Sequence, residues 1–304
     1  MFIEKELGYK RHWINIDSDI VSEQSYLYTK YDIDQETVEY ALDKNERAHM
    51  DYNRENGTIT FIYNVLALEK DKEYYETIPL TFIVQDTRLV TISNEDNAYV
   101  IRKMQDYVDN HEDLSIYTLL FAGLEMISNA YYPVIERLDQ QKDEVSRRLR
   151  QTTTSKNLYD LSDLEIGMVY LVTAAKQNRL LLEYINGHAI YRRFNEVEKE
   201  QFDDAMIEAR QLVAMTDLIS KVLQQLSGSY NNILNNNLNN NLSNLTIIGV
   251  LLGVLSVITG FFGMNVPIPF MTVSSAWIFI VFGSIILCLV LARYLLGWFI
   301  KNNQ

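Results

Sequence analysis

The sequence predicts an α+β cytosolic domain followed by long helices and a two-helix transmembrane region. Three observations predict this class. Short β-branched and aromatic runs crowd the first 110 or so residues, long helical patterns with almost no Gly or Pro follow, and two apolar runs close the chain. The average composition, 48% hydrophobic and 22% charged, would suit a soluble protein, but it conceals a segregation. No Asp, Glu, Lys or Arg occurs in the 71 residues between Lys221 and Arg293. A water-facing surface of that length without charge would lose its solubility.

The first segment, 1–112, reads as a mixed α/β domain. "HWINI", "GTITFIYNVLAL", "IPLTFIVQD" and "RLVTIS" have strand character, with turn signals such as "NRENG" and "QDTR" between some of them. "DQETVEYALDK" has helical period and an acidic start that suits the helix dipole. The pattern then predicts helices at about 114–151 and 157–190, and a third from about 195 that meets no stop before the membrane. This gives long antiparallel helices over 113–194, a stalk over 195–244, a first span over 245–263, a short extracellular loop over 264–275 and a second span over 276–300.

The spans follow from length and polarity. "LTIIGVLLGVLSVITGFFG" (245–263) is 19 residues without charge, Asn or Gln, and "AWIFIVFGSIILCLVLA" (276–292) is 17 more, extended by "RYLLGWF". A hydrocarbon core of ~30 Å needs ~20 apolar residues as helix. Neither run is N-terminal, which excludes a cleaved signal peptide. Two closely spaced spans put both termini on one side. The acidic excess (net −13) and the lack of a secretory signal place that side in the cytosol, as a multi-pass protein of the plasma membrane. Arg293 and Lys301, after the second span, agree with the positive-inside rule.

Enzyme chemistry is not expected. "GxxxxGK", "GxGxxG" and "HExxH" patterns are absent, and His12, His49, His111 and His188 are scattered as structural or surface residues. The single cysteine, Cys288, lies mid-span and implies neither a disulfide framework nor a metal cluster. No organic cofactor and no nucleic-acid partner is expected.

A helix running from 195 through the first span would be on the order of 100 Å long. Its stalk needs partners to bury an apolar stripe, which implies self-association. Within it, "NNILNNNLNNNLSN" (231–244) carries nine Asn. Leu234, Leu238, Leu242 and Leu245 recur at helical spacing there, which favours helix over a disordered tract. On a neighbouring face, steps of three and four select Asn232, Asn235, Asn239, Leu242, Thr246, Gly249, Gly253, Ser256 and Gly260. Alternate members are seven apart, so the row stays on one side of a supercoiled helix. One reading is close helix packing through small residues. The other is a water-lined path on a symmetry axis, with Leu242 as a dewetting constriction. The amides leading into the apolar span favour the path.

Directly after the first span stands Gly263-Met264-Asn265, followed by Pro267 and Pro269, which turn the chain. "GMN" in this position, before a short loop and a final span, resembles the CorA family of magnesium channels. "LTII" at 245–248 is also similar to the corresponding family segment, and the resemblance covers most of the chain. It implies a homopentameric funnel in which the long helix forms both stalk and pore, with self, lipid bilayer and divalent cations as partners. It implies Mg2+ as both substrate and regulator, and a ring of five Asn265 side chains at the pore mouth, with Gly263 and Met264 completing the selectivity motif. Leu242 and Leu245 become the hydrophobic gate. Magnesium holds its water shell tightly, and neutral amides can hydrogen-bond to those waters without stripping them. Entry down an inside-negative potential gains roughly 4.6 kcal/mol per 100 mV for a divalent ion, so no ATP site is needed.

The resemblance also implies gating by cytosolic magnesium bound between subunits. Asp204 falls, without gaps from Asn265, where family members carry an interfacial aspartate, and Glu69 and Asp71 are the candidate partners by approximate position. The sequence departs from the family in three places. "VPIPFMTVSSAW" has no acidic residue, Gly253 stands where relatives often have Met, and the basic tail shrinks to Lys301. The expected activity is magnesium influx, with cobalt and nickel leakage. The alternatives are a zinc transporter of the same superfamily, against which Met264 argues, and a membrane-anchored oligomeric sensor or scaffold without transport.

Overall fold

The computed structural model describes residues 2–20, 28–54, 56–71, 74–151, 154–264 and 276–302. Two compact units divide it, Met1–Ser227 and Gly228–Gln304.

In the first unit, β1 (Ile3–Gly8), β2 (Arg11–Asp17), α1 (Gln35–Leu42), β3 (His49–Tyr52), β4 (Ile59–Asp71), β5 (Tyr74–Gln85) and β6 (Arg88–Ser93) precede α2 (Ala98–Asp109), α3 (Ile116–Gln151) and α4 (Ser155–Gly187). The six strands form one sheet in the order β1-β2-β6-β5-β4-β3. Every pairing is antiparallel except β2 with β6, where Trp13 lies beside Leu89 and Ile16 beside Ile92. The four strand-like runs of the sequence are β2, β4, β5 and β6, and the acidic-start helix is α1. Asp34 caps α1, its carboxylate accepting from the Thr37 N–H at 2.7 Å.

Both faces of the sheet are covered, which is why the central strands are apolar almost without interruption. On one face Ile14, Ile16, Ile83, Val90 and Ile92 pack with Tyr28, Tyr31, Val38 and Ala41. On the other, Gly123 of α3 permits a close approach: an added Cβ would lie 3.1 Å from Met104 Sδ and 3.5 Å from Phe82 Cε1. Trp13, Asn15, Thr91 and Ser93, buried there, bond one another. Trp13 Nε1 donates to Thr91 Oγ1 at 3.1 Å, and Asn15 Oδ1 accepts from Thr91 Oγ1 (2.8 Å) and Ser93 Oγ (3.0 Å).

The edge of β4 is finished by a side chain. β3 pairs with β4 only as far as Ile62, so Asn64 has no strand on that side. Asn178 of α4 supplies the missing partner: its Oδ1 accepts from the Asn64 N–H and its Nδ2 donates to the Asn64 carbonyl, both at 2.8 Å. A side-chain amide carries the same donor and acceptor as a peptide unit, so it stands in for a strand. Tyr131 Oη adds a second donor to that carbonyl at 3.0 Å.

Helix α5 spans Glu196–Phe262, and α6 spans Ala276–Asn302. In the first unit, α5 buries Phe202, Ala205, Met206, Ala209, Leu212, Val213, Thr216, Ile219 and Leu223, an apolar seam at helical spacing. Helix α4 runs antiparallel to it. Lys176 bonds Asp217 at 2.9 Å, and further along the Glu165 carboxyl meets the Ser227 hydroxyl. Asp217 is shared, since Lys221 also reaches it at 2.6 Å.

Candidate ion path and metal-sensing residues

In the second unit α5 and α6 expose large apolar side chains nearly all round, with Val257 at 73% and Phe279 at 75%. Water does not tolerate continuous apolar surface on this scale, and lipid does. Each helix nevertheless has one shaded seam. On α5 it runs through Ile247, Leu251, Val254, Leu255 and Ile258, and on α6 through Ile280, Ser284, Cys288, Leu291 and Leu295.

The row of small and polar residues lies elsewhere on α5. Asn232, Asn235, Asn239, Leu242, Thr246, Gly249, Gly253, Ser256 and Gly260 are all exposed. At about 100° per residue, the row centres roughly half a turn from the shaded seam. Its glycines are not demanded by contacts within the chain, because a Cβ added at Gly249, Gly253 or Gly260 would meet nothing within 4 Å. Gly inside a helix is disfavoured by ~1 kcal/mol relative to Ala. The reason for these glycines therefore lies outside a single chain.

The hydroxyls of the row have a defined polarity. Thr246 Oγ1 donates to the Leu242 carbonyl and Ser256 Oγ to the Leu252 carbonyl, each at 2.8 Å. The proton is thus committed to the helix, and what each oxygen offers outward is lone pairs. A hydrated cation presents O–H donors at its surface, so these groups match it. Leu242 and Leu245 are exposed at 60% and 66%, as a constriction between chains would require and a core residue would not.

Of the selectivity motif, Gly263 and Met264 are described. The Gly263 N–H donates to the Thr259 carbonyl at 2.9 Å, closing α5, and Met264 is half exposed. Asn265, with Pro267 and Pro269 of the loop, lies outside the described residues.

The regulatory candidates lie on different elements, Asp204 on α5 and Glu69 and Asp71 on β4. Asp204 is exposed beside the buried Phe202, Ala205 and Met206. Glu69 is exposed on β4 and lines a cleft of about 810 Å³ with Lys44, Glu46, Arg47, Glu76 and Asp96. The Asp71 side chain lies outside the described residues. Among the described residues no cluster of three His, Cys, Asp or Glu can hold a metal ion. Glu46 and Asp96 come from two loops and Glu76 from β5, and no local pattern in the sequence joins them to Glu69.

An α/β unit, a long helix whose far end suits lipid and a second lipid-compatible helix define a two-span membrane protein with a large extramembrane domain. Residues 10–299 match the family described as CorA-like Mg2+ transporter protein, and the chain belongs to that family. No curated protein sequence matches the chain. Among solved structures, the complete CorA magnesium transporter from Methanocaldococcus jannaschii is similar, with a TM-score of 0.78 at 19% identity over 94% of this chain and 90% of that one. The full-length CmaX protein has a TM-score of 0.72 at 14% identity over 94% and 88%. The ZntB cytoplasmic domain from Vibrio parahaemolyticus RIMD 2210633 has a TM-score of 0.60 at 8% identity over 77% and 98%. At these identities the likeness is one of fold.

Proposed function

We propose that five copies of this chain assemble around the exposed row of α5 and conduct hydrated magnesium into the cytosol, down the membrane potential. The observation that carries the reading is the row itself. Its members are small or amide-bearing except Leu242, it is exposed along its whole length, and its glycines touch nothing in their own chain. Family membership and the likeness to the magnesium transporter of Methanocaldococcus jannaschii support the choice of ion.

In this reading Asn265 rings the outer mouth, Asn232, Asn235 and Asn239 line the inner approach, and Leu242 with Leu245 closes the path when dewetted. No carboxylate lies between Lys221 and Arg293, so selection works on the hydration shell rather than by charge. Asp204 of one copy and Glu69 or Asp71 of the next bind cytosolic magnesium and hold the pore shut, which is consistent with the exposure of Asp204 and Glu69. The cytosolic side holds residues 1–244 and both termini, and the loop 264–275 faces outward.

The test is flux of magnesium, cobalt and zinc into proteoliposomes at varied internal magnesium. Magnesium flux that falls as internal magnesium rises, and falls in Asn265→Ala, supports the reading. Zinc flux that depends on pH, with none for magnesium, would instead assign zinc transport. No divalent flux under any condition would leave a membrane-anchored scaffold.

A further inference from the structure

The unit Gly228–Gln304 contains two basic residues, Arg293 and Lys301, and no Asp or Glu. A guanidinium keeps its charge in ordinary environments, and beside hydrocarbon it reaches for the interface or for a polar or charged partner. Arg293 is exposed and makes no ion pair among the described residues. No acidic side chain of its own unit can supply a counter-charge.

The aromatic residues of α6 fix where Arg293 sits. Trp277 and Trp298 are 65% and 51% exposed. They stand 21 residues apart, about 31 Å along a helix axis, which matches a hydrocarbon thickness of ~30 Å. Tryptophans at that separation mark the two membrane–water interfaces. Arg293 lies five residues before Trp298, about 7–8 Å nearer the bilayer centre. Its stem can span that distance, keeping methylenes among acyl chains and the guanidinium at headgroup level. Helical Cα–Cβ bonds lean towards the N-terminus, here towards the bilayer centre, so the stem has to turn back over the following helical turn. That turn carries Gly297, where an added Cβ would meet nothing within 4 Å. Tyr294, 69% exposed, flanks the same arc.

We propose that Arg293 ion-pairs with the phosphodiester of an anionic lipid in the leaflet at the C-terminal end of α6, in the open space beside Gly297 and between Tyr294 and Trp298. The inference rests on α6 crossing the bilayer and is independent of ion conduction. Three tryptophans occur in the chain, and Trp13 is fully buried in the sheet, out of reach of lipid quenchers. The full-length Trp277→Phe variant, in phosphatidylcholine vesicles with rising fractions of brominated phosphatidylglycerol or brominated phosphatidylcholine, therefore reports on Trp298. We expect roughly five-fold preferential quenching by the anionic lipid, as one cation near an anionic surface supplies. Arg293→Gln brings the preference close to one, and Arg293→Lys retains part of it. Trp277, read in Trp298→Phe, has no cation nearby and shows none. Equal quenching by the two lipids at Trp298 overturns the proposal, as does a preference that survives Arg293→Gln but is lost in Lys301→Gln. Absence of quenching by either lipid at both tryptophans overturns the spanning placement of α6, and this proposal with it.

Discussion

Asn178→Leu removes the amide that completes the edge of β4 while keeping the side chain close to its original size. Asn178 is 1% exposed, and both of its hydrogen bonds go to the backbone of Asn64. After substitution the Asn64 N–H is buried without an acceptor, whereas its carbonyl keeps the Tyr131 hydroxyl at 3.0 Å. An orphaned buried donor costs ~1–3 kcal/mol and the half-satisfied carbonyl ~1 more, so the loss comes to roughly 2–4 kcal/mol. In a unit of this size that lowers the melting temperature by about 5–15 °C. The assay is thermal unfolding of the full-length protein in detergent, in a Trp277→Phe/Trp298→Phe background, so that fluorescence comes from Trp13 in the same sheet. Tyr131→Phe is the control: it removes one of two donors to the carbonyl and should cost about 1 kcal/mol. If Asn178→Leu melted within 2 °C of its parent, or Tyr131→Phe cost as much, the surrogate-strand argument would be wrong.

Other perturbations separate the extramembrane unit from the path. Gly253→Ala has no steric cost within the chain and gains ~1 kcal/mol of helix propensity, so the thermal stability of the extramembrane unit should hold while magnesium flux falls; a lowered oligomer yield at unchanged flux per oligomer would assign the glycine to helix packing instead. Leu242→Asn places an amide at the expected constriction and should raise flux at high internal magnesium, whereas an unchanged closed state would remove Leu242 from the gate. Asp217 is held down to about 2 by its bond to Lys176 and then by its bond to Lys221. A depressed carboxyl contributes stability that is present above its unfolded value of about 4 and lost as pH falls through about 2. The difference in melting temperature between the parent and Asp217→Asn should therefore be flat above pH 4 and shrink below it.

Much of this structure was legible because its signals are local or periodic. β4, β5 and β6 announce themselves through β-branched and aromatic runs, and the helices through a 3.6 period with few breakers. β1 and β3 do not. β1 buries only Ile3 and Leu7 among charged neighbours, and β3 is the four residues His49–Tyr52 with no β-branched side chain. α4 stops at Gly187 because His188 caps it and the chain enters a short 3-10 turn, Ala189–Arg193, a boundary that the pattern running on to about 190 blurs. The row on α5 was visible as a seven-residue repeat, but the open space around its glycines required coordinates. The Asn178–Asn64 pair was not legible at all, since a side chain meets a backbone 114 residues away. The proposed metal site between copies would leave even less trace, because Asp204 and Glu69 each look like an ordinary solvated acid within one chain.

The central claim is that the exposed row of α5 faces an aqueous path and its neighbours do not. Ser256 lies on the row, and Ile248, 54% exposed, lies well over a quarter turn from the row's centre. In a Cys288→Ser background, Ser256→Cys and Ile248→Cys can each be reconstituted and treated with a charged, membrane-impermeant thiol reagent while magnesium entry is followed. Modification is predicted to stop entry through Ser256→Cys and to leave Ile248→Cys unaffected. Equal inhibition of both, or inhibition confined to Ile248→Cys, would contradict the assignment of the path.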